Sequence, residues 1–205
     1  MKKLLTLLFS IFFLFSPSVF ADGISDFEIE GIGIGDSLLD YMTESEILEG
    51  IEDTKNDYYY LEEPNKYAEV YLWEKDFPTF KILSFFVKNN TSNKYLTNKN
   101  EKYTILSIYG AIPFIEDING CLEKRDEIVE LVSNMFPDAQ KKENVKKHPL
   151  DLSGESFTHR VFFRLSSGGT VDAYCSNWEE NFRIQNNYSE GLNFGIQGQE
   201  IDNWL

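Results

Sequence analysis

The chain has 205 residues, 42% of them hydrophobic and 15% aromatic, a composition that excludes a disordered or fibrous chain and suffices for a core. Its 34 acidic residues outnumber 19 Lys and Arg for a net charge of −15. Such a field repels phosphate backbones and anionic lipid surfaces, so neither nucleic-acid binding nor polybasic membrane docking is expected.

Lys2 and Lys3 precede an apolar run from Leu4 to Phe15, and Ser16-Pro-Ser-Val-Phe-Ala21 supplies a turn and a small-residue cleavage site. This is the pattern of a secretory signal over residues 1–21, cut between Ala21 and Asp22. A spanning helix needs about 20 apolar residues and this run stops at roughly a dozen, so no stable membrane anchor is expected after cleavage. The expected location is the periplasm or the exterior. Residues 22–205 are expected to form a single globular α+β domain, built as two similar halves at about 22–115 and 116–205.

Gly31-Ile-Gly-Ile-Gly35 reads as a flexible step. It lacks the spacing of a phosphate loop, and Asp36 would set a negative charge where a phosphate sits. Asp36 or Ser37 caps a first short helix and Thr43-Glu-Ser-Glu46 has capping-box spacing, so a broken helix-turn-helix is expected over 36–53. A polar loop follows over 55–66. Strands are expected at 67–73, 80–88 and 103–109, paired as a meander, with a long polar excursion at 89–100.

Asp117-Ile-Asn-Gly120 resembles part of a calcium loop without its acidic register, and a turn before a helix explains it better. The strongest helical stripe, Cys121, Arg125, Ile128, Val132 and Met135, predicts a helix over 121–136 that Pro137 ends. The stretch 138–155 is polar, carries Lys141, Lys142, Lys146 and Lys147, and reads as a loop. Alternation then predicts a strand over 157–165, a Gly-Gly hairpin turn at 166–169, and a returning strand through Val171, Ala173 and Cys175. A looser polar segment precedes a last strand at 192–196. Short turns imply antiparallel pairing, so the fold class is α+β, with antiparallel sheet and helices on one face in a tandem helix-plus-strands arrangement.

Cys121 and Cys175 both point toward the core, and in an exported chain they are expected to form a disulfide. Closing about 55 residues, it stabilises the fold by roughly 4 kcal/mol on chain-entropy grounds. No catalytic residue, metal site or cofactor is expected: only His148 and His159 accompany the two cysteines, and their spacing suits neither zinc nor a cysteine nucleophile. His159 is read as a core histidine. The acidic cluster Glu44, Glu46, Glu49, Glu52 and Asp53 reads as a solvated helix face. Tyr58, Tyr59 and Tyr60 stand together in a polar stretch and are read as an interaction surface, tyrosine being a preferred contact residue. Asn89 and Asn187 head glycosylation sequons that matter only in a eukaryotic secretory pathway.

The stretch from Asp26 to Tyr41, the strand ending Ile-Tyr109-Gly, the Cys121 helix and the Val-Asp-Ala-Tyr-Cys175-Ser-Asn-Trp178 strand resemble uncharacterised exported proteins of marine alphaproteobacteria. More distantly, Ile34-Gly-Asp-Ser37 leading into Thr43-Glu-Ser-Glu46 is similar to the helix-turn-helix of small envelope modules of the β-lactamase-inhibitor-protein and outer-membrane-assembly lipoprotein type, without their lipid-attachment cysteine. That second resemblance implies an interaction module. The resulting expectation is a non-enzymatic, soluble periplasmic or secreted binding module whose partner is another envelope protein. The alternatives are a carboxylate-dependent hydrolase and a small-molecule binding protein.

Overall fold

The computed structural model describes residues 23–24, 27–55, 66–73, 77–89 and 101–204. The signal segment with its Ala21–Asp22 junction, the three tyrosines Tyr58, Tyr59 and Tyr60, and residues 90–100 of the polar excursion lie outside the described residues.

In place of the expected flexible step, the chain makes a tight hairpin of β1 (Glu28–Ile29) and β2 (Ile32–Gly33). Glu30 and Gly31 turn it at φ 55° and 77°, the left-handed region that glycine enters without steric cost. Asp36 locks this hairpin, its Oδ2 accepting from the Gly33 amide and from the Tyr41 hydroxyl, both at 2.9 Å. Partial burial and then that hydrogen bond push the Tyr41 pKa up to about 12. A 3-10 turn (Leu38–Asp40) capped by Ser37 follows, and α1 (Glu44–Thr54) starts at a complete Thr43–Glu46 capping box. Both caps are the ones the sequence specifies.

The strands β3 (Tyr67–Trp73), β4 (Ile82–Lys88) and β5 (Ile105–Pro113) form the first meander. The second half runs α2 (Ile118–Met135), β6 (Gln140–Lys147), β7 (Phe157–Arg164), β8 (Thr170–Asn177), α3 (Glu180–Asn186), β9 (Gly191–Gln197) and α4 (Gln199–Asp202). All seven long strands belong to one antiparallel sheet in the order β3-β4-β5-β9-β8-β7-β6. Each half contributes a helix and a three-stranded meander, and β9 fills the seam between β5 and β8. The fold is thus α+β and mostly sheet.

A single row of paired residues shows which face the helices cover. Val70, Phe85, Ile108, Ile196, Val171 and Phe163 follow one another across six strands, all buried, and the row ends on exposed Lys141 at β6. Ile47 of α1 and Val129 and Val132 of α2 lie in the same core as that row. Gly50 lets α1 settle onto β3, since a Cβ there would lie 2.9 Å from a methyl of Val70. Cys121 of α2 is disulfide-bonded to Cys175 of β8, with Cα atoms 6.0 Å apart. Around that bridge Leu192 completes a second apolar cluster.

Two further expectations are corrected. The stretch 138–155 is not simply a loop: its Lys-rich part is the edge strand β6, paired with β7 over eight residues. It escapes a reading of the sequence because none of its side chains is buried and a strand without a core face shows no apolar alternation. The looser polar segment holds α3, whose N-cap Glu179 accepts from the amides of Asn181 and Phe182 and whose left-handed Asn187 ends it. No helix among the described residues is long and apolar enough to cross a membrane.

Candidate functional site: the open face and free edge of the sheet

The sheet face opposite α1 and α2 follows from the same register, one residue out of step; the short α4 lies on this face, a departure from the expectation of helices on one face only. One row reads Tyr71, Ser84, Tyr109, Gly195, Asp172, Phe162 and Lys142; the next reads Trp73, Ile82, Ala111, Asn193, Tyr174, Arg160 and Asn144. Aromatic side chains therefore recur across the sheet, from Trp73, 65% exposed at one side, to half-buried Phe162 at the other. At one end α4 folds over this face, packing Ile201 and Trp204 against Tyr67, Phe86 and Leu106. The Tyr67 hydroxyl donates to Glu200, and Arg164 pairs with Asp202, which holds α4 in place.

The middle of the face is a shallow depression of about 270 Å³ lined by Glu69, Tyr71, Tyr109, Tyr174 and Asn193 among others. Gly195 shapes it. A Cβ there would lie 2.2 Å from the Tyr109 ring, so the absence of a side chain is what lets that ring lie flat on the strand beside it. Burial, and next the Asp172 carboxylate, raise the Tyr109 pKa far above the ordinary phenol value, so it stays a neutral hydroxyl. Asp172 is itself buried and gripped by Arg160, with Nε to Oδ1 at 2.8 Å and Nη2 to Oδ2 at 2.5 Å. Burial outweighs Arg160 and leaves the Asp172 pKa above its ordinary value. Arg160 and Arg164 both lie over the Phe162 ring, at 5.4 and 5.8 Å. With Asp172 and Glu69 buried, the exposed charge on the far strands of this face is positive: Arg160, Arg164, Lys142 and Lys146.

At the end of the sheet beside β6, His148, Trp178, Phe182 and Tyr188 stack together, with His148 to Trp178 at 4.6 Å and Trp178 to Tyr188 at 4.8 Å. Asp151 organises the adjoining loop, accepting from the amides of Ser153 and Ser156 and from the Ser153 hydroxyl, and hydrogen bonding from the Ser156 and Ser153 side chains, then from the amides, holds its pKa well below the ordinary carboxylate range. Buried Glu190 accepts from the amides of Glu116 and Trp178 and ties the start of α2 to the end of β8. Their sequence separation hides this cluster, and only Trp178 in an otherwise polar stretch signals it. His159 is on the helix side of β7, paired with Cys175 in register and part-buried. Asp117 caps α2 through the Gly120 amide, the turn role expected of it. Among the described residues no group of three His, Cys, Asp or Glu is placed to hold a metal ion.

Compared with known proteins, the chain matches no family model, no curated protein and no solved structure.

Proposed function

We propose that this chain is an exported binding module of the periplasm or the exterior, without catalytic activity of its own, which docks another envelope protein on the open face of its sheet. The observation that carries the reading is the set of aromatic side chains on the face that α1 and α2 leave open, Trp73, Tyr71, Tyr109, Tyr174 and Phe162, flanked by half-buried Arg160 and exposed Arg164. Tyrosine, tryptophan and arginine are the residues that dominate binding energy at protein interfaces. Exposed positive charge on the face of an acidic chain supports a partner whose contacting surface is acidic. The central depression is shallow and lined by one carboxylate, Glu69, where carboxylate-dependent hydrolysis needs a pair, and the neighbouring buried Asp172 is committed to Arg160. Both points favour docking over a hydrolase or a small-molecule carrier. The disulfide suits an oxidising compartment.

Native mass spectrometry of the mature protein, purified gently from the envelope of its own host, tests this beside a Trp73→Ala/Tyr174→Ala variant. The expected result is a bound protein chain on the wild type that is lost from the variant. A bound small molecule instead, or a partner retained unchanged by the variant, overturns the reading.

A further inference from the structure

We propose that the free edge of β6 is a second docking surface, which accepts an extended acidic segment of a partner protein as an eighth strand. The inference rests on the reading of the sheet as a docking module but uses a different surface, its edge rather than its open face.

In an antiparallel sheet half of a terminal strand's amide and carbonyl groups point away from its neighbour. Along the eight residues of β6 they form a ladder about 27 Å long, and among the described residues β6 pairs with β7 alone. Neither face of β6 is covered. Val145 is 55% exposed on the helix side, and a groove of about 420 Å³ separates α2 from the β6–β7 hairpin, lined by Arg125, Val129, Lys141, Glu143 and Val161 among others. An added strand extends the floor of that groove.

Charge selects what enters. Lys141 and Lys147 stand on the helix side and Lys142 and Lys146 on the open side. None of these four makes an ion pair among the described residues, whereas of the six described lysines outside β6 all but Lys81 reach a carboxylate: Lys55, Lys66, Lys88, Lys102 and Lys124. The acid within the strand, Glu143, is directed to the buried guanidinium of Arg125 at 3.3 Å. In a chain with almost twice as many acids as bases, four lysines in one edge strand are left without carboxylates, each beside main-chain groups able to pair. A second copy is a poor occupant, because antiparallel pairing of β6 with itself about Asn144 sets Lys142 against Lys146 and Lys141 against Lys147. An acidic strand gains on both counts: main-chain bonds supply affinity and alternate side chains supply selectivity.

The probe is a fluorescent peptide Glu-Thr-Glu-Val-Glu-Thr-Glu, whose glutamates line one side and whose valine can lie beside Val145. Controls are the same peptide with Lys for Glu, and with N-methyl groups on alternate residues. Fluorescence anisotropy at low and high salt, and amide chemical shifts of the labelled protein, read the outcome. The acidic peptide is expected to bind with shifts confined to β6 and β7, to weaken at least tenfold in Lys142→Glu/Lys146→Glu, and to be lost on N-methylation. The lysine peptide is expected not to bind. Equal binding of the N-methylated peptide, shifts centred elsewhere, or no binding at millimolar peptide overturns the proposal. The Trp73→Ala/Tyr174→Ala variant keeps peptide binding if edge and face are separate, so failure of one reading is distinguishable from failure of the other.

Discussion

The two outer strands of the sheet each begin a three-stranded meander, yet β3 is buried along most of its length and β6 nowhere. The difference lies in where each helix is anchored. α1 lies on the first strand of its own meander: Gly50 makes room for Val70, and the Thr54 hydroxyl donates to the carbonyl of Glu69 at 2.6 Å. α2 is tied instead to β8, the last strand of its meander, by Cys121–Cys175, and also packs on β9. That anchor lies two strands in from the edge, so β6 projects beyond the helix layer. A cross-link whose first effect is on stability therefore also leaves β6 standing outside the helix layer. The side chains agree with the positions, since the covered strand reads Tyr-Ala-Glu-Val-Tyr-Leu-Trp and the projecting one Gln-Lys-Lys-Glu-Asn-Val-Lys-Lys.

Breaking the anchor of the second half has the largest expected effect. Cys121→Ser/Cys175→Ser releases a loop of 54 residues and is expected to cost about 4 kcal/mol, read by urea denaturation with and without reductant. A loss below about 1 kcal/mol removes the disulfide as the anchor. Next in size is Arg160→Ala, which strands the buried carboxylate of Asp172; because Arg160 is itself partly exposed, about 2–3 kcal/mol is expected at neutral pH. The pH dependence supplies a sign. The folded pKa of Asp172 is already raised, so its contribution is greatest below the ordinary aspartate value and falls as pH rises through the folded value. In Arg160→Ala that fall should be deeper and shifted to higher pH. On the first half, Gly50→Leu drives a side chain into Val70 and is expected to cost about 1–3 kcal/mol while loosening α1 from β3. Hydrogen exchange should then rise at the amides of β3 and leave β8 unchanged.

What the sequence makes legible follows the same division. Elements with a buried face announce themselves: the Cys121, Arg125, Val132 stripe is buried on α2, and the β7 and β8 alternation yields the inward Cys175 and so the bridge. Local capping is equally legible, because Thr43 with Glu46 and Asp117 with Gly120 are neighbours in sequence. The candidate site is not. Its rows join residues such as Tyr71, Tyr109 and Tyr174 from strands far apart in the chain, and only the strand order places them on one face. β6 is concealed for the opposite reason, having no buried face at all, and its clue is a run free of Gly and Pro between Pro137 and Pro149.

The smallest effect on stability is expected where the two edges differ most. Lys142→Thr/Lys146→Thr replaces two exposed side chains, and away from any buried contact such changes stay within about 0.5 kcal/mol. Threonine also favours the strand conformation, so β6 itself should persist. What changes is the company the edge can keep. With Lys142 and Lys146 gone, the repulsion between copies falls while the unpaired ladder of amides and carbonyls remains, the condition under which edges pair with each other. Sedimentation velocity is therefore expected to show the wild type free of edge-mediated association, and the variant associating as its concentration rises. Lys81→Thr, a lysine adjoining β4 on the half whose edge strand is covered, should leave association unchanged. Equal association in both variants would mean that loss of charge anywhere suffices, and β6 would then have no special status; association confined to the β6 variant would show that the lysines guard an edge able to pair.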